Sequence, residues 1–539
     1  MTKSTNKKTV QEIYAEHLHG ILTKRLFESG SELKANLVKK FKLTDVNARK
    51  VISRAVDTRH IKSSSPFTFG KGQFIYILPE NKISLTSVMT ICATARPPVF
   101  RLLAYLLHND GICSYYDGLK ISACPIEESS TKVSSLEDIL KLLEKLELVY
   151  QQRDENGVNY ILLTDDFERY GENIEQNMMN GAFSDMVTDT TLLPDIMRWL
   201  VKSNIMDNSQ IIYRNKKTPS VGAVHNNLAW DVFSYTKTTG FSELSGVKAE
   251  TTEKMTLVAL DVVLSKPYAQ IHLDGFLSRV QINQNSTKNE KRKILPIIVY
   301  KECSEIVLNK IKALGFVALD IGSIFGTRIY SIISKLNKIN DIDLAEPDIE
   351  ATINKMLKSI RSAGQEDALK DLKGVLFEIL MYPVLKYMFP NASVLQGKTL
   401  KVTRANSKQE YYEYDYIFHS SNPEEIIIVE LKGYGEDSTI SLGDRDKKAS
   451  LKWFFERTIP FAKEFYANDI KAGKKLCAVY MTSAHFWADG IEFTKKMNKS
   501  RLKPTAMDVA YDRPKLLDLL SSKGFKKEVE ILAKYYGKK

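Results

Sequence analysis

One very apolar segment, residues 426–429 (IIIV), is followed at once by Glu430, Leu431 and Lys432. Four consecutive branched aliphatic residues are typical of a strand that is buried on both faces of a sheet. Because side chains alternate along a strand, Glu430 and Lys432 project from one face while Leu431 faces the other. A carboxylate and an ammonium group at the end of a buried strand are costly unless each meets a partner. We therefore expect a polar site at the end of this strand.

Two further acids lie upstream in elements that would reach the same place. A segment with helical apolar spacing (GVLFEILMYPVLKYMF) carries Glu378, and a strand-like segment (YYEYDYIF) carries Asp415. Two acids, a lysine and a divalent cation would balance one another's charge, and the same set is suited to cleaving phosphodiesters. Glu413 shares a strand face with Asp415 and is a spare ligand candidate. The alternative is a structural salt bridge at the strand end.

Length and composition predict a multidomain intracellular protein. With 539 residues the chain is too long for one core, because single cores stop growing at roughly 250–300 residues. No run of about 18 uncharged apolar residues occurs, and the N-terminal residues lack the apolar segment of a secretory signal. The five cysteines are scattered without a CxxC pair, as is usual for reduced thiols. We expect a cytoplasmic protein with no membrane association and no zinc site.

Positive charge is concentrated at the N-terminus. The whole chain has a formal net charge of +12, and residues 1–80 contain 15 Lys and Arg against 7 Asp and Glu, a net of +8. The rest of the chain is nearly balanced in charge, so the basic N-terminal module indicates a surface that binds a polyanion. The alternative is a solvated basic face.

The first 85 residues are predicted to form three helices followed by a hairpin. The predicted helices cover residues 10–28, 31–41 and 45–60, and the strands cover 60–62 and 73–78. This order resembles the winged-helix DNA-binding modules, in which the third helix enters the major groove. The resemblance implies DNA contacts from basic residues of the third helix and the wing, namely Arg49, Lys50, Arg54, Arg59 and Lys71. Many winged helices bind protein instead, and that alternative stays open.

Residues 86–172 are predicted to repeat this order of helices followed by a hairpin. A helix opened by prolines is followed by a second helix in which Ser134 and Glu137 have the spacing of a capping box. A hairpin with an Asn156-Gly157 turn comes next. A second winged-helix-like unit is predicted, and because its helix is acidic we expect packing or dimerisation rather than DNA contact.

The middle of the chain alternates strand-like and helical segments, and one strand–helix–strand unit predicts a parallel pair of strands. Asp231 and Asp261 occupy positions that correspond to Asp415 and Glu430, but Val263 stands where the lysine would be. These positions favour a degenerate copy of the C-terminal domain that has lost its chemistry. The alternative is an unrelated α/β domain with structural aspartates.

The C-terminal motif resembles the PD-(D/E)xK, or restriction-endonuclease-like, nuclease superfamily. A helix glutamate, a strand aspartate and an E-x-K strand lie within about 120 residues, from 366 to 485. Tyr414 precedes the aspartate where the family has proline. The resemblance implies an α/β domain with a central mixed sheet. The predicted domains of this α+β and α/β chain are therefore 1–85, 86–172, 173–336, a linker and helix at 337–365, and 366–539.

The same resemblance implies roles for the four residues of the motif. Asp415 and Glu430 would hold Mg²⁺, for which Mn²⁺ is a substitute, and Glu378 would bind a second metal ion or an outer water. Lys432 would lie against the attacking water or the scissile phosphate. Two further lysines, Lys448 and Lys452, are four residues apart on the next predicted helix and share a face. Either one is a candidate to grip a phosphate, and the alternative is that both are simply solvated.

The leading hypothesis is a metal-dependent DNA endonuclease of the restriction or defence type, acting on double-stranded DNA that the N-terminal modules position. One alternative is a non-catalytic DNA-binding protein with a decayed nuclease fold. Another is the nuclease subunit of a larger complex, since no phosphate-binding loop for ATP occurs in the sequence. Paired cuts on a duplex would favour a homodimer.

Overall fold

The protein was analysed as a computed structural model. The described residues are 9–70, 72–126, 135–154, 157–165, 167–207, 211–215, 222–236, 256–286, 293–341, 349–403, 409–435 and 437–537. Internal contacts divide the chain into two compact units: Met1–Met179 with Asn226–Ala229 and Gln270–Asn283, and Asn180–His225 with Trp230–Ala269 and Gln284–Lys539. Within the described ranges, no helix has the length and apolarity needed to cross a membrane.

The N-terminal region contains three helices and a three-stranded sheet. Its elements are α1 (Val10–Arg25), β1 (Phe27–Ser29), α2 (Gly30–Phe41), α3 (Asp45–Asp57), β2 (Lys62–Ser63) and β3 (Ile75–Ile77). The sheet is antiparallel in the order β1-β3-β2. The three predicted helices and the hairpin are confirmed, with Thr44 capping α3 through the N–H of Asn47. Phe27 and Glu28, predicted to end the first helix, instead lie in β1, because Leu26 adopts a φ of 66° that ends α1.

The next region repeats this order of elements. It contains α4 (Leu85–Ala95), α5 (Pro97–His108), β4 (Ile112–Ser114), α6 (Tyr115–Ser122), α7 (Leu136–Lys145), β5 (Val149–Arg153) and β6 (Asn159–Leu163). From α5 onward, a helix, a strand, two helices and two strands follow one another as before, and the sheet order β4-β6-β5 matches the first. The predicted hairpin is confirmed, although Asn156 of its turn lies outside the described residues.

The predicted cap of α7 is off by one residue. The N-cap is Ser135, whose side chain accepts from the N–H of Asp138 while the Asp138 carboxylate accepts from the N–H of Ser135. Ser134, the predicted cap, lies outside the described residues. Aspartate can take the place of glutamate in a capping box. The capping pair is therefore Ser135 and Asp138, one residue later than the predicted Ser134 and Glu137.

The middle region is a five-stranded mixed sheet with helices. It contains α8 (Glu172–Thr191), α9 (Leu193–Lys202), β7 (Ile212–Tyr213), β8 (Ala223–His225), β9 (Leu228–Trp230), β10 (Val232–Thr236), β11 (Thr256–Val263), α10 (Gln270–Gln284), β12 (Ile294–Tyr300), α11 (Glu305–Ala313), β13 (Val317–Asp320), α12 (Ile321–Phe325) and α13 (Ile329–Asp341). The sheet order is β13-β12-β11-β10-β7. Strands β12 and β13 are parallel with α11 between them, as predicted.

The C-terminal region is a second five-stranded mixed sheet. It contains α14 (Ile349–Ser362), α15 (Lys370–Met388), β14 (Ala392–Thr403), β15 (Gln409–Ser421), β16 (Glu424–Lys432), β17 (Thr439–Ile440), a π-helical segment (Trp453–Thr458), α16 (Ile459–Phe465), α17 (Ala467–Lys471), β18 (Lys475–Thr482), β19 (His485–Phe486), α18 (Ala488–Met497), β20 (Ala510–Tyr511), α19 (Arg513–Ser522) and α20 (Lys526–Tyr535). The central sheet runs β14-β15-β16-β18-β20.

The two larger sheets have the same topology. In each, the five strands lie side by side in chain order. The first two neighbouring pairs are antiparallel and the last two are parallel, both in the middle sheet and in the C-terminal one. The strand order and directions therefore support the prediction that the middle region copies the C-terminal one.

The middle and C-terminal regions share one hydrophobic core, which extends from Leu192 to Tyr536. The predicted boundary after residue 336 falls inside α13, and of the predicted linker 337–347 the first five residues are helical while the others lie outside the described residues. The carboxylate of Asp195, at the start of α9, accepts from the N–H groups of Asp371 and Leu372 at 3.2 and 3.1 Å. These bonds join the middle region to the first turn of α15.

Candidate active site

Strand β16 is buried on both faces, as its sequence predicts. Ile427, Val429 and Leu431 belong to the core that contains α15, whereas Ile426 and Ile428 belong to the core on the opposite face of the sheet. Alternate side chains of a strand enter different layers. The strand therefore has no solvated face until its last residues.

Asp415 is positioned by the neighbouring antiparallel strand. Tyr416 of β15 pairs with Val429 of β16, and continuing this register by one residue sets Asp415 opposite Glu430. Directly opposed residues of an antiparallel pair project from the same face. Asp415 is 3% exposed, and its Oδ2 accepts from the N–H of Leu431 at 2.6 Å. This hydrogen bond fixes one carboxylate oxygen at the end of β16.

Lys432 and Glu430 form an ion pair, and their side chains are 19% and 18% exposed. Burial by itself lowers the pKa of Lys432, but attraction to Glu430, Asp415 and Glu378 outweighs it, and the pKa is raised above its usual value. The lysine is therefore protonated at neutral pH. Lys432, Glu430 and Asp415 therefore lie at one end of the sheet, and Glu378 is near enough to contribute to the raised pKa of the lysine.

Helix α15 is held close against the end of β16. A Cβ atom on Gly433 would lie 2.4 Å from the Cβ of Phe377, so only glycine fits there. The phenol of Tyr416 donates to the carbonyl of Glu378 at 3.3 Å. Both contacts fix the part of the helix that carries Glu378 against the residues that follow Lys432.

An open cavity of about 220 Å³ lies at this junction. Glu378 and Lys432 are two of its lining residues. Sequence reasoning missed four others, which are Tyr213, Asn215, Lys370 and Tyr434. Tyr213 and Asn215 come from the first strand of the middle sheet and the residues after it, more than 150 positions before Glu378 in the sequence, and no local pattern could have placed them here.

Glu413, the spare ligand candidate, has a partner of its own. The side-chain amide of Asn215 donates to its Oε2 at 2.7 Å. This contact joins the middle region to β15 and engages one of the two carboxylate oxygens of Glu413.

Tyr480 is a further group that faces the site. It pairs with Glu430 in the β16–β18 register, and among the described residues its buried hydroxyl has no hydrogen-bond partner. Burial, followed by the charges of Glu430, Tyr434 and Asp415, raises its pKa well above the usual value. Its sequence context (AVYMT) is that of an ordinary core strand, so no local pattern marks it as a site residue.

The predicted pairing of Lys448 and Lys452 on one helix face is wrong. Lys448 lies in an exposed turn, and helical structure begins only at Leu451. Between them, Ala449 has a φ of 62°, which is incompatible with a helix. The two lysines therefore lie on different local structures and share no helix face, and a phosphate contact by either one stays a prediction.

The acids fit a magnesium ion, which binds through one or two carboxylates and keeps several waters. Asp415 and Glu430 supply two hard oxygen donors at the ends of neighbouring strands. In the described part of the chain, no three His, Cys, Asp or Glu side chains are grouped closely enough to hold a metal ion. The direct-ligand role of Glu378 therefore stays a prediction.

The predicted DNA-contacting residues of the N-terminal region are exposed. Arg49, Lys50 and Arg54 lie on α3 and Arg59 follows it, whereas Lys71 lies outside the described residues. Arg49 lines an open groove of about 600 Å³, together with α2, β3 and the residues around β2. Arg54 lines a different depression against α1. The two arginines therefore flank the exposed face of α3 on opposite sides.

The middle region has an acid pair in the same place as the C-terminal one. Val232 pairs with Leu260, so Asp231 stands opposite Asp261, and the Oδ2 of Asp231 accepts from the N–H of Val262 at 2.8 Å. The geometry matches that of Asp415 and the residue after Glu430. His272, on α10, is buried with its ring edge-on to Tyr105.

A scan against protein-family models finds no match, and neither a curated protein nor a solved structure matches the chain. The geometry of the site is therefore the only basis for assigning it a function. The site contains two carboxylates on neighbouring strands, and a protonated lysine and a third acid that line an open cavity.

Proposed function

We propose that this chain is a metal-dependent DNA endonuclease that hydrolyses phosphodiester bonds at the end of β16. The observation that carries the proposal is that Asp415, Glu430 and Lys432 lie at the ends of adjacent strands, and that Lys432 and Glu378 line one open cavity. A structural salt bridge would need only Glu430 and Lys432. The second, opposed carboxylate and the open cavity favour a site that takes a ligand.

Each residue has a role that follows from its position. Asp415 and Glu430 would hold Mg²⁺, which supplies a Lewis acid that lowers the pKa of water and neutralises charge on the phosphate. Lys432, held protonated by the acids around it, would donate to a phosphate oxygen as a compact point charge. Glu378, on the wall of the same cavity, would accept a hydrogen bond from the attacking water and orient it.

The N-terminal region would bind the DNA. Its winged-helix-like order of elements exposes Arg49 and Lys50 on α3, and the groove of about 600 Å³ beside Arg49 also contains Lys34. The net charge of +8 over residues 1–80 supports contact with phosphates, which dominate DNA affinity.

Plasmid cleavage tests the proposal. Purified protein should cut plasmid DNA with Mg²⁺ or Mn²⁺ and stop with EDTA. Lys432→Ala and Glu430→Gln should each slow cleavage by about 10²–10³-fold, as the loss of one group that stabilises transition-state charge does. Lys523→Ala is the matched control, since this lysine is exposed at the C-terminal end of α19, and it should cleave like the unmodified protein. Equal activity in all four proteins would contradict the proposal.

The alternative of a decayed nuclease fold is better suited to the middle region than to the C-terminal one. The middle acid pair lacks the lysine, because Val263 stands at that position. DNA binding without cleavage under any metal would nevertheless favour a binding protein. Cleavage that appears only with a partner protein would favour a subunit of a larger complex.

A further inference from the structure

Two positions distinguish the acid pair of the middle region from that of the C-terminal region. Val263 stands where Lys432 stands, two residues after the second acid. Arg214 lies opposite the first acid in the middle sheet, where its N–H donates to the carbonyl of Asp231 at 2.7 Å. In the C-terminal sheet Gly397 lies between Gln396 and Lys398, which pair with the residues on either side of Asp415. The middle sheet thus has an arginine side chain at a place where the C-terminal sheet has a glycine, which has no side chain.

Arg214 supplies the middle acid pair with a cation of its own. Its guanidinium lies 3.4 Å from the carboxylate of Asp231, and the phenol of Tyr268 donates to Asp261 at 3.0 Å. All four residues are 1% exposed. A divalent ion between these acids would meet a fixed positive charge at close range in a buried setting, where like charges repel strongly. The middle pair is therefore closed to metal.

The two copies belong to one body. They share a continuous core, and Asn215, next to Arg214, donates to Glu413 of β15. The chain thus contains two copies of the sheet in contact, with the full set of acids and lysine in one of them. Concerted cuts in both strands of a duplex need two active sites, which symmetric dimers provide.

From this arrangement we infer that a single chain nicks duplex DNA, cutting one strand at a time rather than both together. The inference rests on the proposed function and concerns its product. In each event one water adds its oxygen to one phosphorus, and one P–O bond to a sugar breaks. The departing oxygen takes up a proton as a hydroxyl group, and the other strand stays intact.

A time course on supercoiled plasmid with Mg²⁺ tests the product. We expect open-circular DNA to accumulate and to be released before any linear DNA forms. Linear DNA as the first product overturns the inference and leaves the proposed function standing. Plasmid that stays supercoiled with Mg²⁺ and with Mn²⁺ overturns the proposed function, and the inference with it.

Matched variants at the second acid of each copy test the closed middle pair. Asp261→Asn should nick at the unmodified rate, whereas Glu430→Gln should lose nicking by about 10²-fold or more. Calorimetric titration of the full chain with Mn²⁺ alone gives a readout that does not depend on cleavage. We expect Glu430→Gln to weaken Mn²⁺ binding and Asp261→Asn to leave its stoichiometry unchanged. A lower stoichiometry in Asp261→Asn would show a metal in the middle region and overturn the inference.

Discussion

Residues of the candidate site are held in position by specific contacts, and one of these contacts is made at a glycine. Gly433 directly follows Lys432 and lies against the side chain of Phe377. Asp415 is anchored through the N–H of Leu431. Such fixed positions are what electrostatic catalysis requires, because groups that are already oriented need no reorganisation during the reaction.

Gly433→Ala should disturb this arrangement. The added methyl group would overlap the Cβ of Phe377, and overpacking of this kind costs about 1–3 kcal/mol and moves the backbone. We expect reduced cleavage and a lower midpoint of thermal unfolding. Gly435→Ala is the control, since a Cβ there meets nothing within 4 Å. Equal losses in the two variants would contradict the packing argument.

Asp508 should make stability depend on pH. Burial would raise its pKa, but hydrogen bonds from Lys515, Lys503 and Asn498 outweigh this and lower the pKa to about 2. Because the folded-state pKa lies below the ordinary value of 3.8, its contribution is present above about pH 4 and is lost as the pH falls towards 2.

The corresponding variant is Asp508→Asn. It should unfold more easily in urea at pH 7, by on the order of 1 kcal/mol since the carboxylate is partly solvated. The gap between the variant and the unmodified protein should shrink as the pH is lowered from 4 to 2. A gap that stays constant over this range would contradict the assignment.

At the scale of elements, caps decide where helices begin. Ser135→Ala should destabilise the first compact unit by about 1 kcal/mol, because the substitution removes the acceptor for the N–H of Asp138. Chemical denaturation followed by circular dichroism measures the loss. Ser134→Ala is the discriminating comparison, since the sequence spacing favoured that serine. A larger loss in Ser134→Ala than in Ser135→Ala would contradict the capping assignment.

At the scale of the whole molecule, the middle and C-terminal regions should unfold together. Asp195→Ala would leave the N–H groups of Asp371 and Leu372 without their acceptor and Arg198 without one of its carboxylates. Removing one member of a buried ionic group costs about 3–5 kcal/mol. We expect calorimetry to show a lower unfolding temperature for the whole second unit. A loss confined to one of two separate transitions would contradict a shared core.

The sequence by itself determined much of the secondary structure and which residues were candidates for a common site. The continuous apolar run at residues 426–429 predicted a strand buried on both faces. The spacing of apolar residues and the turn residues within 1–85 predicted the three helices and the hairpin. These features succeed because burial and capping act over a few neighbouring residues. The early end of α1 at Leu26 was missed, because a single left-handed φ decides it.

Only the tertiary structure decided which distant residues complete the site. Tyr213, Asn215 and Tyr480 are ordinary in their own segments, and their relation to the acids depends on strand register and on packing between the two sheets. Cross-strand pairing also decides which residue lies beside the first acid of each sheet. This residue is Arg214 next to Asp231 in the middle sheet, whereas in the C-terminal sheet Gly397 lies between the partners of the residues that flank Asp415. Such pairings join residues far apart in the chain, so no local pattern of side chains encodes them.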